Sequence, residues 1–253
     1  MWNGDLKFVL SNLIQKDFKI RYRNMSLGVL WSMLNPLVTM AVLTFVFTKV
    51  FPSGQQDYPV FVLCGLVPFN FFSLAWITGT SSVADNATII KRVAVPRELI
   101  PVATILGNCV HMFIQIGLLL TFALLFGKGV NRQWLWMPLI WGMEVIFVLG
   151  LSMITSAINV YVRDTRYVVE SLNTILFWLI PIFYDFSKIP ERFAKLYAYN
   201  PIAALVMALR DILLHAAAPP ASLLVKLCVG SCAVLLVGVL AFRRMKTGFY
   251  DCL

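Results

Sequence analysis

At 253 residues, with 60% hydrophobic and 13% charged side chains, the chain carries about half the charge of an ordinary soluble domain, and soluble enzyme classes are excluded on that ground. Its apolar residues fall in blocks of about 20, long enough to cross a bilayer, so the composition describes a multi-pass membrane protein. The formal charge of +9 comes from 21 Lys and Arg against 12 Asp and Glu; without a long basic run it reads as cytoplasmic loop bias and not as a nucleic-acid surface. The five cysteines form no C-x-x-C pair, and neither a disulfide framework nor a zinc site is indicated.

The first element, residues 1–24, is expected to be an amphipathic helix lying in the headgroup plane. Leu6, Val9, Leu10, Leu13 and Ile14 recur on one side, with Lys7, Asn12, Gln15, Lys16 and Lys19 on the other. Apolar blocks follow at about 28–50, 58–79, 99–126, 134–162, 168–186 and 222–242, which predicts six transmembrane helices. The stretch 201–214 is shorter and contains Arg210 and Asp211, so it is expected to be re-entrant. Basic residues fix the orientation. Lys7, Lys16, Lys19, Arg21, Arg23, Lys91, Arg92, Arg97, Arg163, Arg166, Arg243, Arg244 and Lys246 fall on one side of a six-span chain, thirteen of the 21 basic residues against eight opposite, placing both termini in the cytoplasm.

Two connections are long. Residues 80–98 have room for a short cytoplasmic helix capped by Ser81, Ser82 or Asp85 and stopped at Pro96. Residues 186–221, with Pro190, Pro201, Pro219 and Pro220, are expected to form broken external helices. Within the spans, Glu144 and His111 are the costly groups; a proton relay and a plain interhelical hydrogen bond are the alternatives for them. No phosphate loop, zinc-protease or nucleophile-elbow signature occurs, so any ATP-driven work falls to another chain. Aromatic rings crowd the second and fifth blocks. Phe69, Phe72 and Trp76 share one helix face by their spacing, as do Phe177 and Tyr184, with Trp178 beside them. Such rings either face lipid and neighbouring helices or line a path on which sugar rings stack.

The chain resembles the membrane subunits of type-two ATP-binding cassette exporters, and more narrowly the permeases for O-antigen, capsular polysaccharide or teichoic acid. The matching residues are Asp17-Phe18-Lys19-Ile20-Arg21-Tyr22-Arg23, Leu27-Gly28-Val29-Leu30-Trp31, Asn35-Pro36, Ile90-Lys91-Arg92, Val95-Pro96-Arg97-Glu98-Leu99-Ile100-Pro101, Arg163-Asp164, Pro181-Ile182-Phe183-Tyr184, Ile189-Pro190, and Asn200-Pro201 with Arg210. The resemblance implies one all-α transmembrane domain over residues 1–253. It implies a homodimer with two copies of an ATPase subunit, which carries the ATP and magnesium while this chain binds no cofactor. The substrate would be a lipid-linked glycan crossing a bacterial inner membrane. Asp85, Lys91, Arg92, Pro96, Arg97, Glu98, Arg163 and Asp164 would couple to the ATPase. Arg21, Arg23 and Trp31 would lie at the interfacial point of substrate access, Phe69, Phe72, Trp76, Phe177, Trp178 and Tyr184 would line the pathway, and Pro190, Asn200, Pro201 and Arg210 would form the external gate. The alternatives are an exporter of the same architecture for drugs, haem or lipids, and an ion-coupled carrier using Glu144 and His111.

Overall fold

The computed structural model describes residues 6–22, 28–52, 54–92, 95–190, 192–193, 197 and 200–252. All regular structure among them is helical. In chain order the helices are α1 (Leu6–Tyr22), α2 (Trp31–Phe45, continued by a π turn over Val46–Val50), α3 (Tyr58–Asp85), α4 (Ala87–Arg92) and α5 (Leu99–Leu125). They are followed by α6 (Met137–Tyr161), α7 (Thr165–Leu179), α8 (Pro201–Leu213), α9 (Ala221–Met245) and α10 (Phe249–Cys252). Arg23, and the side chains of Arg21 and Arg92, lie outside the described residues.

Among the described residues, five helical stretches are long and apolar enough to cross a membrane: Trp31–Val50, Tyr58–Lys91, Leu99–Leu125, Arg132–Tyr161 and Ala221–Gly248. The sixth expected span, 168–186, is helical only as α7, whose 15 residues extend about 22 Å against about 30 Å of hydrocarbon. Pro181 is the reason. It disfavours helical backbone at the preceding residue, and Ile180 is extended, with φ −72° and ψ 139°.

α3 is the central helix, packed against α2, α5, α6, α7 and α8. Its residues from Tyr58 to Phe69 are almost continuously buried. The helix also runs through the polar Thr80-Ser81-Ser82 stretch, where the sequence suggested a loop. Thr80 Oγ1 donates to the Trp76 carbonyl (2.8 Å) and Ser82 Oγ to the Gly79 carbonyl (2.6 Å), so these hydroxyls are satisfied within the helix. The break comes at Asn86, whose carbonyl accepts from the N–H groups of Ile89 and Ile90 and starts α4. The first six residues of the expected 80–98 connection therefore belong to α3.

α6 and α9 cross at Gly150 and Gly238. A Cβ on Gly150 would stand 2.6 Å from the Leu235 nitrogen, so the two backbones approach this closely only because glycine is present. At one end of the bundle, termed basal, Lys16 of α1 donates to Asn86, Thr104 of α5 donates to Asp17 of α1 (3.2 Å), and the residues after α9 fold back onto α5 and α6. Both terminal segments therefore share the basal end. At the opposite, apical end, Lys128 pairs with Asp57 at 2.8 Å, and Asn131 Nδ2 donates to the Ile212 carbonyl at 3.2 Å. α8 is buried along nearly its whole length. It starts at Pro201 beside Gly230, nine residues into α9, and ends at the apical residues Leu213 and Leu214.

Candidate functional site

The apical site is built around the break after α7. The chain there is not helical, so its carbonyls need partners from elsewhere. Three consecutive ones receive side-chain donors. Arg210 Nη2 donates to the Ile182 carbonyl at 2.7 Å, Tyr58 Oη to that of Phe183 at 2.9 Å, and Arg210 Nη1 to that of Tyr184 at 3.4 Å. Tyr184 Oη turns back to the Leu179 carbonyl at 2.7 Å and satisfies one of the orphan acceptors at the C-terminus of α7. Gly65 of α3 lets this segment seat tightly, since a Cβ would stand 2.9 Å from Ile182 Cα. Arg210 itself is 6% exposed, with its guanidinium carbon 3.5 Å from the centroid of the Phe61 ring. Pairing with backbone dipoles and a ring face stabilises a charge that would otherwise be costly to bury.

Arg210 is thus brought to the same segment as Tyr184, joining an expected gate residue to an expected pathway residue. Asn200 caps α8, its Oδ1 accepting from the Ile202 N–H at 3.0 Å, and Pro201 occupies the first helical turn. Pro190 is exposed.

The rings form one connected series. Trp76 contacts Phe72 (5.3 Å between centroids), Phe69 contacts Phe177 (5.4 Å), and Phe177 and Trp178 both meet Phe183 (6.1 and 5.4 Å). Their surroundings differ sharply. Phe69, Phe72 and Trp76 are only 5%, 1% and 6% exposed, whereas Trp178 is 63% exposed. The three α3 rings expected to line a pathway are core residues of the subunit. A spacing of three and four places rings on one face but does not say which neighbour covers it, and α3 is surrounded. Phe177 and Tyr184 are half-buried.

At the basal end the expected coupling residues separate into two groups. Arg97 and Glu98 hold the chain's own tail. Arg97 donates to the Lys246 carbonyl, Lys246 Nζ donates to Glu98 Oε1 at 2.5 Å, and Phe249 is fully buried against Phe242 and Tyr161. Burial pushes the Glu98 carboxyl up, but hydrogen bonds from Lys246 and its own backbone, with the charges of Lys246 and Arg243, outweigh it and hold the group below the usual glutamate range. Pro96, half-buried, lines the same cavity as Arg97 and Glu98. The second group surrounds a different cavity, where Asp85 and Arg163 are wall residues beside Arg166. Lys91 and Asp164 are exposed on the same end, and Trp31 is exposed at the start of α2.

Sequence reasoning missed Tyr58, Phe61 and Phe249. Only Phe249 left a signal, as an aromatic residue beyond the last basic cluster. Glu144 is buried in α6, and neither of its carboxyl oxygens has a hydrogen-bond partner among the described residues. Among the described residues no group of three or more His, Cys, Asp or Glu converges to hold a metal.

A helical bundle with several membrane-length apolar helices and a buried, arginine-clamped helix break defines a multi-pass membrane protein. The chain belongs to the ABC-2 type transporter family, whose family model matches residues 9–214. It is similar to an O-antigen export system permease protein RfbA of Klebsiella pneumoniae, 34% identical over 212 residues, which are 83% of this chain and 81% of that one. A second permease of that name from Klebsiella pneumoniae is 30% identical over 250 residues, covering 98% of this chain and 95% of the relative. One from Myxococcus xanthus is 28% identical over 245 residues, 96% and 94% of the two chains.

Proposed function

We infer that the chain is the membrane-spanning subunit of an ATP-driven exporter for a lipid-linked polysaccharide, working as a homodimer with two ATP-binding cassette subunits in a bacterial inner membrane. The observation that carries this is the alignment over nearly the whole length with permeases named for O-antigen export. The geometry supports the topology. Both terminal segments lie at the basal end, which requires an even number of crossings, and α7 with the clamped segment after it supplies the sixth. α8 supports a re-entrant gate, because it begins about 14 Å into the bundle, opposite Gly230, the tenth residue of α9, and returns to the apical end.

In this reading α1 lies at the cytoplasmic headgroup level, and Arg21, Arg23 and Trp31 receive the carrier lipid. Residues 86–98 and Arg163-Asp164 face the ATPase, which binds ATP and magnesium; this chain holds no cofactor. Trp178, Tyr184 and Phe177 form the ring surface offered to the polymer, with Pro190, Asn200, Pro201 and Arg210 as the gate. A sliding polymer needs many weak contacts, and stacking on exposed rings provides them without a deep pocket that would trap one sugar.

Co-expression with the ATPase subunit tests this. The pair is expected to hydrolyse ATP and to place glycan outside the cell, and the chain alone to do neither. ATP turnover by the purified chain, or labelling of a Lys91→Cys variant from outside intact cells, would overturn it.

A further inference from the structure

At the apical end three connections meet around a cavity of about 320 Å³: the stretch before α3, the α5–α6 connection and the end of α8. Gln55, Gln56 and Asp57 line it from the first, Lys128 from the second, and Leu214 and His215 from the third. Ligand sites run from about 300 to 1,000 Å³, so this one lies at the small end and suits a guest of monosaccharide size. The backbone here is strained at two places. Among the described residues only Asp57 and Ala216 are non-glycine residues at positive φ, 50° and 51°. Asp57 belongs to the lining, and Ala216 directly follows His215. Such conformations persist only where surrounding contacts impose them, and they gather at ligand sites. The contacts are visible: the Asp57 carbonyl accepts from the N–H groups of Val60 (3.0 Å) and Phe61 (3.1 Å), and the Ala217 N–H donates to the Asp211 carbonyl at 2.9 Å. Asp57 directly precedes α3, yet its side chain caps none of that helix's N–H groups. Its Oδ2 instead meets Lys128 Nζ at 2.8 Å, which engages one of the three ammonium N–H groups.

We propose that this cavity is an external subsite for one sugar unit of the exported glycan. The Asp57–Lys128 pair and the Gln56 amide bridge neighbouring hydroxyls, and Leu214 meets a C–H face of the ring. A hydroxyl both donates and accepts; the carboxylate only accepts, the ammonium only donates and the amide does both, so the set matches adjacent hydroxyls on one ring. Gln56 is exposed, and Asp57, Lys128 and Leu214 are half-buried. Each hydrogen bond therefore competes with water and holds the sugar weakly, as a polymer that must move on requires. Because the cavity lies at the end of α8, the proposed gate helix, it holds a unit that has already emerged and opposes its sliding back. The proposal rests on the reading of the chain as a glycan exporter, and assigns a point at which the emerging chain is held.

Two measurements test it. In the first, Gln56→Cys is labelled on spheroplasts with a negatively charged methanethiosulfonate, in a strain that makes the polymer and in one lacking its glycosyltransferases. The unsubstituted chain gives the background. Polymer is expected to slow labelling about threefold or more, as for a site filled two-thirds of the time. Val130→Cys, exposed but outside the lining, should label equally in both strains. In the second, Gln56→Ala and Asp57→Asn should each lower surface glycan about threefold or more, as for the loss of one ordinary hydrogen bond, with the amount of membrane-inserted chain unchanged. Asparagine is chosen because it tolerates positive φ. Gln56→Cys that is not labelled, or is slowed less than about threefold or no more than Val130→Cys, overturns the subsite, as does Gln56→Ala with wild-type export or with inserted chain lost alongside the glycan. These outcomes leave the exporter reading standing. Surface glycan that persists when the chain is deleted overturns both.

Discussion

Replacing Arg210 by Met should release the segment after α7 while leaving the bundle folded. Methionine keeps most of the side-chain volume but leaves two carbonyls without their donor. The loss amounts to about 2 kcal/mol at Ile182, where the bond is 2.7 Å, and about 1 kcal/mol at Tyr184, where it is 3.4 Å. The ring contact with Phe61 adds about 2 kcal/mol in a desolvated site. Burying a guanidinium costs energy that methionine avoids; setting this at about 2 kcal/mol leaves a net loss of about 3 kcal/mol. That is roughly a 150-fold shift in the local opening equilibrium. Hydrogen exchange read by mass spectrometry over residues 177–190 should accelerate by about that factor, with Arg210→Lys intermediate because a point charge cannot fork to two carbonyls. A change below about threefold would refute the reasoning: burial of Ile180 and Ile182, not the arginine, would then hold the segment.

The other expectations follow from the same contacts. Trp178→Ala should lower glycan export with normal expression, whereas Phe72→Ala, which empties a buried site, should cost about 3–5 kcal/mol and reduce folded protein; equal losses of expression would refute the distinction. Gly150→Val should push α6 from α9 and abolish a cooperative thermal transition, whereas Gly142→Ala, with open space at its Cβ position, should leave it within a few degrees. Lys246→Met should loosen the tail by no more than about 1 kcal/mol, because the pair with Glu98 is partly exposed. Since Glu98 is held below its ordinary range when folded, the tail's docking should be fully present above the usual glutamate pKa and be lost as pH falls through the lower folded value; Cys252 reactivity measured against pH at constant thiolate fraction checks the sign.

The sequence by itself determined the all-helical class, the approximate positions of the five long apolar helices and the start of α8, and Pro181 encodes the end of α7, which comes before the expected end of that span at 186. Each of these is a local matter. Apolar length sets a helix that can cross, Pro181 stops α7 through its clash with the preceding residue, and Asn200-Pro201 starts α8 by capping. What only the tertiary structure decided is which side of each helix meets a neighbour. In a soluble protein, polarity marks the outer face, but in a bilayer both lipid and core are apolar, so Phe72 and Trp178 look alike in the sequence although one is enclosed and the other exposed. The same holds for charge. Arg97 and Arg163 both read as cytoplasmic loop residues, yet one is tied to the Lys246 carbonyl, 149 positions away, and the other lines a cavity. Such pairings join residues far apart in the chain, and no local spacing specifies them.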